Sequence, residues 1–420
     1  MNSKKTYPKI LIISHNCISE RTNNGKTIYS IFRDWPQENI AQIFFRNEYP
    51  DSASNFNFFR IIDLDLLKDW IPFCKESSGL EIKNKFYSKK TFSVNPVKKN
   101  SLLFFLRDLY WKIFKKNNEK LDNWIRNQSP EYVFFVASNN TFSYNFTLNI
   151  INKFNLKLIS FFTDDYILPV KKPSLIQEIH RIKMESKFKQ LIGLSNVRIA
   201  IGEIMAKEYF NRYNLKFNYT MNLPEEFNFD QNTEYLKPIK IVYVGNLGLK
   251  RWISILEITK QICLLNKNYL ICTMDIYSLE NPDENFIKTI ESYDNINFLG
   301  KLNSQIEVNS VLSEAQVVIH SESFDPKMIE ITRLSISTKI SEYLSMGKCI
   351  FAYGPSNVGS MRFLFDNNLG LCCFDSKNLY TYLSKLLNNS NLMTKYSIEG
   401  KRYYNNKMKN FKLINLINES

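Results

Sequence analysis

The chain has 420 residues, of which 44% are hydrophobic and 23% charged, and its formal net charge is +14. This length exceeds what one hydrophobic core usually organises, so the sequence predicts two folded domains and excludes a disordered or repeat-built chain. Seven cysteines without metal-ligand spacing indicate a reduced, cytoplasmic protein, and the short apolar runs predict neither a signal peptide nor a membrane-spanning helix.

The first half of the chain alternates short apolar runs with helical patterns, which predicts a parallel sheet covered by helices on both faces. Ligands of such sheets meet the carboxyl ends of the strands. His15, Asp164 and Asp165 follow predicted strands at this edge, and Gly25 opens the first helix, so these four are candidate ligand contacts. A role in capping is the alternative for the two aspartates. The buried strands are predicted at 9–14, 41–45, 132–136, 156–162 and 197–201.

Much of the positive charge lies in 83–116, where ten Lys or Arg stand against one acid. Helical spacing puts Leu109 on a predicted apolar face, with Phe104 and Trp111 on the other side among cations. Aromatic side chains beside cations suit the headgroup zone of an anionic membrane, which makes this segment a candidate for peripheral membrane contact. A core helix with a solvated basic face is the alternative. Nucleic-acid binding is disfavoured, because no recognised binding signature accompanies the charge.

The pattern lapses in the polar stretch 222–235, which predicts a linker and a domain boundary near residue 230. A second α/β series then fills 231–395, with a further sheet of the same kind. The tail 396–420 has the pattern of an amphipathic helix. In this second series, buried strands are predicted at 239–244, 270–277, 296–299, 315–320 and 348–353.

A glycine turn joins the first strand and the first helix of the second series. Gly245, Asn246 and Gly248 form the turn, and Lys250 and Arg251 follow it directly. Small residues let a phosphate approach the backbone and the two cations can offset its charge, although glycine turns are also common without a ligand.

The stretch 321–355 is predicted as a strand end, a long polar loop, a short helix beginning at Thr338 and another buried strand. Ser337 and Thr338 place hydroxyls at the helix start, where free backbone N–H groups and the helix dipole favour an anion such as a diphosphate. Lys339 and Glu342 lie together at the edge of the helix.

Two motifs in this half carry a family resemblance, STKISEYLSMGKCIFAYGP and GNLGLKRW. They resemble the donor-site helix and the phosphate-binding turn of GT-B glycosyltransferases of the glycosyltransferase 4-like group, the type that builds bacterial surface polysaccharides. The resemblance implies two Rossmann-like, doubly wound domains facing across a cleft, the second of which binds the nucleotide-sugar donor. It also implies retention of anomeric configuration and no metal or other cofactor.

The resemblance assigns roles to two glutamates. In the family two glutamates stand eight positions apart; Glu342 matches the second, which holds the ribose, whereas Leu334 occupies the position of the first. Glu322 begins a segment that resembles the start of the motif, as if a loop of about a dozen residues had been inserted after it. Glu322 is therefore the candidate beside the transferred sugar.

Together these observations predict a glycosyltransferase that moves a sugar from a nucleotide-diphosphate donor to a glycan or lipid-linked acceptor. The acceptor is expected on the first domain, near His15, Gly25 and the two aspartates. The protein is expected in the cytoplasm, with 83–116 touching the inner face of the cell membrane. Two alternatives are a non-catalytic two-domain protein that binds a sugar or nucleotide and a basic nucleic-acid-binding protein.

Overall fold

The computed structural model describes residues 7–20, 23–50, 56–63, 65, 79–82, 101–112, 118–167, 173–225, 235–280 and 284–420, without the side chains of 23–24 and 101–106. The chain divides into two compact units. Unit 1 comprises Met1–Thr220 and Lys412–Ser420, and unit 2 comprises Met221–Phe411.

The described residues of unit 1 form an eight-stranded sheet in the order β4-β3-β2-β1-β5-β6-β7-β8, in which all pairs are parallel except β3 with β4. Its strands β1, β2 and β5 are buried along their whole length, as expected for strands covered on both faces. The strands are β1 Ile10–Ser14, β2 Ile40–Phe44, β3 Asn57–Arg60, β4 Leu80–Ile82, β5 Tyr132–Val136, β6 Lys157–Phe162, β7 Val197–Ala200 and β8 Asn218–Tyr219.

Helices connect these strands and cover the sheet. A short 3₁₀ turn, Gln37–Asn39, precedes β2. The helices of unit 1 are α1 Asn23–Phe32, α2 Ser101–Lys112, α3 Glu119–Gln128, α4 Thr141–Phe154, α5 Leu175–Leu194, α6 Glu203–Tyr213 and the terminal α15 Leu413–Asn418.

Helix α2 faces the core differently from the sequence prediction. Trp111 is buried at 6% exposure, whereas Leu109 is 50% exposed. The Trp111 ring stacks on Phe142 at 4.1 Å, and its Nε1 donates to an oxygen of Asp63 at 2.7 Å. Asp108, one turn earlier, accepts a hydrogen bond from the backbone N–H of Phe142. These polar contacts determine the orientation of the helix more strongly than burial of Leu109 would. Because Trp111 is buried, it has no role at the surface.

The described residues of unit 2 form a six-stranded parallel sheet in the order β11-β10-β9-β12-β13-β14. This is the doubly wound order, in which the chain fills one side of its first strand and then crosses to the other. The predicted strands of this unit are confirmed to within about two residues at most ends. They are β9 Ile239–Val244, β10 Cys272–Tyr277, β11 Ile296–Gly300, β12 Val317–Ser321 and β13 Cys349–Tyr353. The last strand, β14 Leu371–Cys373, was not predicted.

The core of unit 2 consists mainly of Ile, Val and Leu from the sheet and from the helices on its faces. A π-helical turn, Tyr404–Met408, follows the last long helix. The helices of this unit are α7 Arg251–Leu265, α8 Glu284–Glu291, α9 Gln305–Glu314, α10 Pro326–Thr332, α11 Thr338–Ser345, α12 Gly359–Asp366, α13 Leu379–Leu387 and α14 Ser390–Tyr403.

The long polar loop predicted between β12 and α11 contains a helix, α10. Asp325 caps it by accepting hydrogen bonds from the backbone N–H groups of Lys327 and Met328, and Pro326 occupies its first turn. Asp followed by Pro is a strong helix-start signal that the sequence prediction missed. The predicted helix α11 is confirmed, and Gly347 follows it with a φ of +61°, a conformation that favours glycine.

Six cysteines lie in the described residues, and none of these forms a disulfide. Cys74 lies outside the described residues, as do 83–100 and 113–116 of the basic segment. Among the described helices, none has the length and apolar character needed to cross a membrane.

Candidate functional site

The strand order of unit 2 places the ends of β9 and β12 side by side at the point where the chain changes direction. Crevices at such switch points are where ligands of doubly wound sheets bind. Arg251 begins α7, which follows β9, and Glu322 comes directly after β12. The fold therefore brings together two residues that are 71 positions apart in the sequence.

Arg251 and Glu322 form a buried ion pair at this switch point. Nε and Nη2 of Arg251 both donate to Oε2 of Glu322, at 3.0 and 2.9 Å. The side chains are only 19% and 3% exposed, respectively. Burial lowers the pKa of Arg251, but the charges of Glu322, Tyr243 and Glu280 and the hydrogen bond to Glu322 together outweigh this effect, so the net shift is upward. Arg251 is therefore charged, and its interaction with the side chain of Glu322 is screened little by water.

The backbone also fixes Glu322. Its N–H donates to the carbonyl of Tyr353 at 2.9 Å, and its carbonyl accepts from the hydroxyl of Ser254 at 2.8 Å. Gly354 follows β13, and a Cβ at this position would lie 2.8 Å from the Cβ of Glu322. Only glycine leaves room for the glutamate side chain at this point.

The glycine turn lies next to the ion pair and is held by side chains. The backbone N–H of Gly248 donates to Oδ1 of Asn246, whose amide donates to Glu280 at 2.8 Å. The hydroxyl of Tyr243 donates to the carbonyl of Asn246 at 2.9 Å and also packs against Gly245. A Cβ at Gly248 would lie 2.6 Å from side-chain oxygens of Asn246 and Glu280, so a larger residue there would displace these two side chains.

Lys250 ends this turn in a left-handed conformation, with φ at +61°. Its Nζ lies 2.5 Å from Oδ2 of Asp325, the residue that caps α10. Lys250 is half exposed, with 51% of its side chain accessible, so solvent screens this pair much more than the Arg251 pair. The hydrogen bond to Lys250 also lowers the pKa of Asp325. The ion pair of Lys250 with Asp325 thus connects the glycine turn to the segment between Glu322 and Thr338.

The predicted residues of α11 lie at its first turns. Ser337 caps the helix by accepting a hydrogen bond from the backbone N–H of Lys339. The Nζ of Lys339 lies 3.1 Å from Oε2 of Glu342, whose side chain is 3% exposed. Thr338 accepts from the hydroxyl of Ser341 through its carbonyl. These contacts bring a cation and a carboxylate together at the helix start, as predicted.

Two contacts fix α11 relative to the rest of the site. The hydroxyl of Tyr343 donates to the carbonyl of Val244 at 3.2 Å, which ties the helix to the end of β9 just before the glycine turn. Gly359 packs against the backbone before the helix, since a Cβ there would lie 2.8 Å from the carbonyl oxygen of Ser335. The hydroxyl of Ser360 accepts from the N–H of Ser337.

His320, near the end of β12, belongs to the same site. It is buried at 5% exposure, and its Nε2 lies 3.6 Å from Oε1 of Glu322, beyond hydrogen-bond distance. Burial lowers its pKa to about 4, opposed by the charge of Glu322 and assisted by that of Arg251. The imidazole is therefore neutral at pH 7 and adds no charge beside the glutamate.

In unit 1, His15 and Gly25 lie near the carboxyl end of β1. Burial lowers the pKa of His15 to about 4, and its Nδ1 has no hydrogen-bond partner among the described residues. A Cβ at Gly25 would lie 2.5 Å from the carbonyl oxygen of Cys17, so α1 packs closely against the preceding loop. Both residues are placed at the predicted edge of the sheet.

The two aspartates after β6 differ in their contacts. Oδ2 of Asp165 forms an ion pair with Arg212 at 2.9 Å, and its side chain is only 2% exposed. Asp164 is partly exposed and accepts a hydrogen bond from the hydroxyl of Tyr166 at 3.1 Å. The geometry thus favours a packing role for Asp165 and leaves Asp164 as the better candidate for contacting a ligand.

The arrangement in unit 2 can bind a dianionic group. Arg251, Lys250 and Lys339 each hold a carboxylate, and these carboxylates occupy positions where phosphate oxygens would be attracted by the same cations. In the described part of the chain, no cluster of three or more His, Cys, Asp or Glu side chains has the geometry of a metal site.

Comparison with known proteins gives matches by structure alone. No family model matches the chain, and no curated protein matches it by sequence. A crystal structure of Anabaena Alr3699/HepE in complex with UDP and glucose matches with a TM-score of 0.57 and 10% identity, covering 98% of each chain. TarM matches with a TM-score of 0.60 and 10% identity, covering 99% of each.

A glycosyltransferase from Rickettsia africae has the highest identity of these three, 14%, with a TM-score of 0.55 and coverage of 98% of this chain and 97% of that one. At such identities a likeness establishes the fold and leaves the activity to be argued from the site. The chain therefore has the GT-B fold of these glycosyltransferases, with two Rossmann-like α/β units.

Proposed function

We propose that the protein transfers a sugar from a nucleotide-diphosphate donor to a glycan or lipid-linked acceptor in the assembly of a bacterial cell-surface polysaccharide. The observation that carries this proposal is the buried pair of Arg251 and Glu322 at the switch point of unit 2. A cation for a leaving phosphate and a carboxylate for a reacting sugar are what this chemistry needs at adjacent positions.

Arg251 and Lys250 would bind the diphosphate. A guanidinium has five N–H donors in a fixed plane, so Arg251 can hold Glu322 and a phosphate oxygen at the same time. Lys250 would release Asp325 and bind a phosphate oxygen instead. The present ion pair between Lys250 and Asp325 costs little to break, because Lys250 is half exposed. The structures of HepE that contain UDP support this assignment, because that protein shares the fold.

Helix α11 would bind the remaining part of the nucleotide. Ser337, Thr338 and Lys339 lie at its first turn, where backbone N–H groups and a cation favour phosphate. Glu342 would accept hydrogen bonds from the ribose hydroxyls. Its burial beside Lys339 fixes the carboxylate in one orientation, which suits recognition of a neighbouring pair of hydroxyls.

Glu322 would act on the sugar. In the reaction the bond between the anomeric carbon and the phosphate oxygen breaks, and a bond from the acceptor oxygen to that carbon forms. The proton of the acceptor hydroxyl goes to the departing phosphate, which gains negative charge. Glu322 would stabilise the positive charge that develops on the sugar, while Arg251 and Lys250 stabilise the leaving group. We propose retention of configuration and catalysis by these side chains without a metal or other cofactor.

Unit 1 would supply the acceptor contacts, with Asp164, His15 and Gly25 at the carboxyl edge of its sheet. We further propose a cytoplasmic protein that meets the membrane through its basic segment 83–116, most of which lies outside the described residues.

The proposal is tested by incubating the purified protein with UDP-, GDP- and CMP-linked sugars and measuring release of the free nucleotide. We expect slow hydrolysis of at least one donor and faster release when a glycan or lipid-linked acceptor is added. Binding of a nucleotide-sugar with no release under any acceptor would instead indicate a non-catalytic binding protein. Indifference to all of them, with salt-dependent binding to oligonucleotides, would favour a nucleic-acid-binding protein.

A further inference from the structure

Helix α5 of unit 1 has apolar side chains on two opposite faces. Its inner face is buried and includes Met184 and Phe188. At about 100° per residue, Leu175, Ile179 and Ile182 lie within a narrow arc on the opposite side. They are 78%, 40% and 54% exposed.

Ile176, at 41% exposure, lies beside this arc, and the four side chains together are called the outer stripe. Single exposed apolar residues are ordinary on protein surfaces. Four within the first two turns of one helix form a continuous apolar surface, and such surfaces mark interaction sites. Polar side chains are expected on the outer face of a helix whose other face packs on the core.

The charge around the outer stripe is positive. Residues 173–190 contain four Lys or Arg and two acids. Both acids are held in ion pairs: Glu178 lies 2.6 Å from Arg181, and Glu185 lies 2.9 Å from Arg181 and from Lys189. The two acids offset two of the four cations, so the segment keeps a net charge of +2.

Two further lysines, Lys183 and Lys187, lie along one border of the outer stripe by helical geometry. Apolar side chains flanked by long cations are the pattern of helices that rest in a membrane interface, where the cations reach the headgroups and the apolar groups enter the acyl boundary.

The helix begins close to the edge of the sheet where the acceptor is expected. Ser174 starts α5 with a capping box after the loop that follows β6. One and a half turns later, Nε2 of His180 lies 3.4 Å from Oδ1 of Asn139, which follows β5. The outer stripe therefore lies within two turns of the carboxyl edge of the sheet of unit 1.

We propose that the outer stripe docks unit 1 on an anionic lipid surface, with Leu175, Ile176, Ile179 and Ile182 in the interface and the neighbouring cations on the headgroups. The residues of this contact lie outside the basic segment 83–116. The docking proposal rests on the proposed function only for the purpose of the contact. That purpose is to present a lipid-linked acceptor at the edge of the sheet that lies beside α5.

A lipid surface fits this face better than a second copy of the chain. In a two-fold interface the stripe would meet itself, and the net positive charge of 173–190 would be brought against an identical charge. Four side chains also supply far less than the roughly 800 Å² per partner of a stable protein interface. An anionic lipid surface attracts the same charge and needs no shape complementarity.

The test is vesicle flotation of the full chain at low salt, without nucleotide, with phosphatidylglycerol-containing vesicles and with phosphatidylcholine vesicles. The stripe variant is Leu175→Ser/Ile179→Ser/Ile182→Ser. Its matched control is Leu264→Ser/Ile306→Ser/Ile398→Ser in unit 2, whose side chains are 44%, 80% and 53% exposed. All six positions are on described helix surfaces, so circular dichroism is expected to show a folded chain for both variants.

We expect the wild type and the control to float with the anionic vesicles and to bind the neutral ones weakly. The stripe variant is expected to lose about tenfold or more in partition coefficient, because three apolar side chains no longer enter the interface. Lys183→Gln/Lys187→Gln is expected to lose about fivefold per lysine on anionic vesicles alone.

Three outcomes overturn the proposal. The first is failure of the wild type to float with anionic vesicles. The second is flotation of the stripe variant at the wild-type level, which would assign the contact to another part of the chain. The third is a dimeric wild type that becomes monomeric in the stripe variant by analytical ultracentrifugation. Nucleotide binding by the stripe variant, measured separately, shows whether the donor site is intact, so failure of one proposal is distinguishable from failure of the other.

Discussion

Arg251 and Glu322 join the two halves of the unit 2 site through a pair of hydrogen bonds at 3.0 and 2.9 Å. One residue follows the first strand of the sheet and the other follows the strand beside it, so the fold itself creates the pair. With the glutamate 3% exposed, each charge depends on the other for solvation. This dependence leads to specific expectations for substitutions at and around the pair.

Glu322→Gln is expected to separate binding from chemistry. The amide keeps the size of the side chain but loses the charge that would stabilise the reacting sugar, so kcat should fall by about 10²- to 10³-fold. The affinity for a nucleoside diphosphate should be unchanged or higher, because Arg251 is no longer neutralised. Steady-state kinetics and calorimetric titration check both parts. A kcat within twofold of the wild type would remove Glu322 from the reaction.

Asp325→Asn is expected to raise the affinity for a nucleoside diphosphate about two- to fivefold at low salt. The substitution removes the charge that competes for Lys250, while Asn still caps α10 as well as Asp does. The gain should shrink at high salt and should disappear in a Lys250→Ala background. Equal gains with and without Lys250 would show that Asp325 acts through some other group.

Gly354→Ala is expected to lower kcat about tenfold with little change in the fold. The added methyl group would lie 2.8 Å from the Cβ of Glu322 and 3.3 Å from its backbone nitrogen, so the glutamate must move. Gly193→Ala is the control, since nothing lies within 4 Å of the position in α5, and it should stabilise the helix by about 0.5–1 kcal/mol. Full activity of Gly354→Ala would show that the position of Glu322 is not critical.

His320 is expected to make unit 2 sensitive to mild acid. Its pKa is lowered to about 4 by burial, against 6.5 in the unfolded chain. In this pH range the unfolded state binds a proton on His320 and the folded state does not. The free energy of unfolding therefore falls as the pH drops from about 6.5 to about 4. The full loss from this group is about 3 kcal/mol. Denaturation of the wild type and of His320→Asn between pH 6.5 and pH 4 measures this loss. The wild type should lose more stability than the variant, and equal losses in the two proteins would contradict a role for His320.

The strands and the parallel sheets could be predicted because buried strands appear as continuous apolar runs, as in Tyr132–Val136 and Cys349–Tyr353. The short strands Asn57–Arg60 and Asn218–Tyr219 were missed, because a run of two to four residues is too short for its period to be distinguished. The helix Pro326–Thr332 was missed because polar composition outweighed the Asp-Pro start signal.

The residues of the candidate site could be named from the sequence, but not their partners. Lys250 and Arg251 were predicted to face phosphate, and the structure places a carboxylate from a distant segment against each of them. Pairing across 71 positions depends on strand order, which no local pattern encodes. The prediction of which face of α2 is buried was wrong for a related reason. Asp108 and Trp111 make tertiary hydrogen bonds that outweigh the amphipathic spacing of the helix.

The central claim is that unit 2 binds a nucleoside diphosphate through Arg251. Calorimetric titration of UDP, GDP and CDP into the wild type and into an Arg251→Gln variant with an unchanged circular dichroism spectrum tests it most directly. At least one diphosphate is expected to bind the wild type with one site per chain, and the variant should bind it tenfold to a hundredfold more weakly, as loss of a charge-assisted hydrogen bond implies. No binding of any diphosphate, or equal affinity in the two proteins, would contradict the claim.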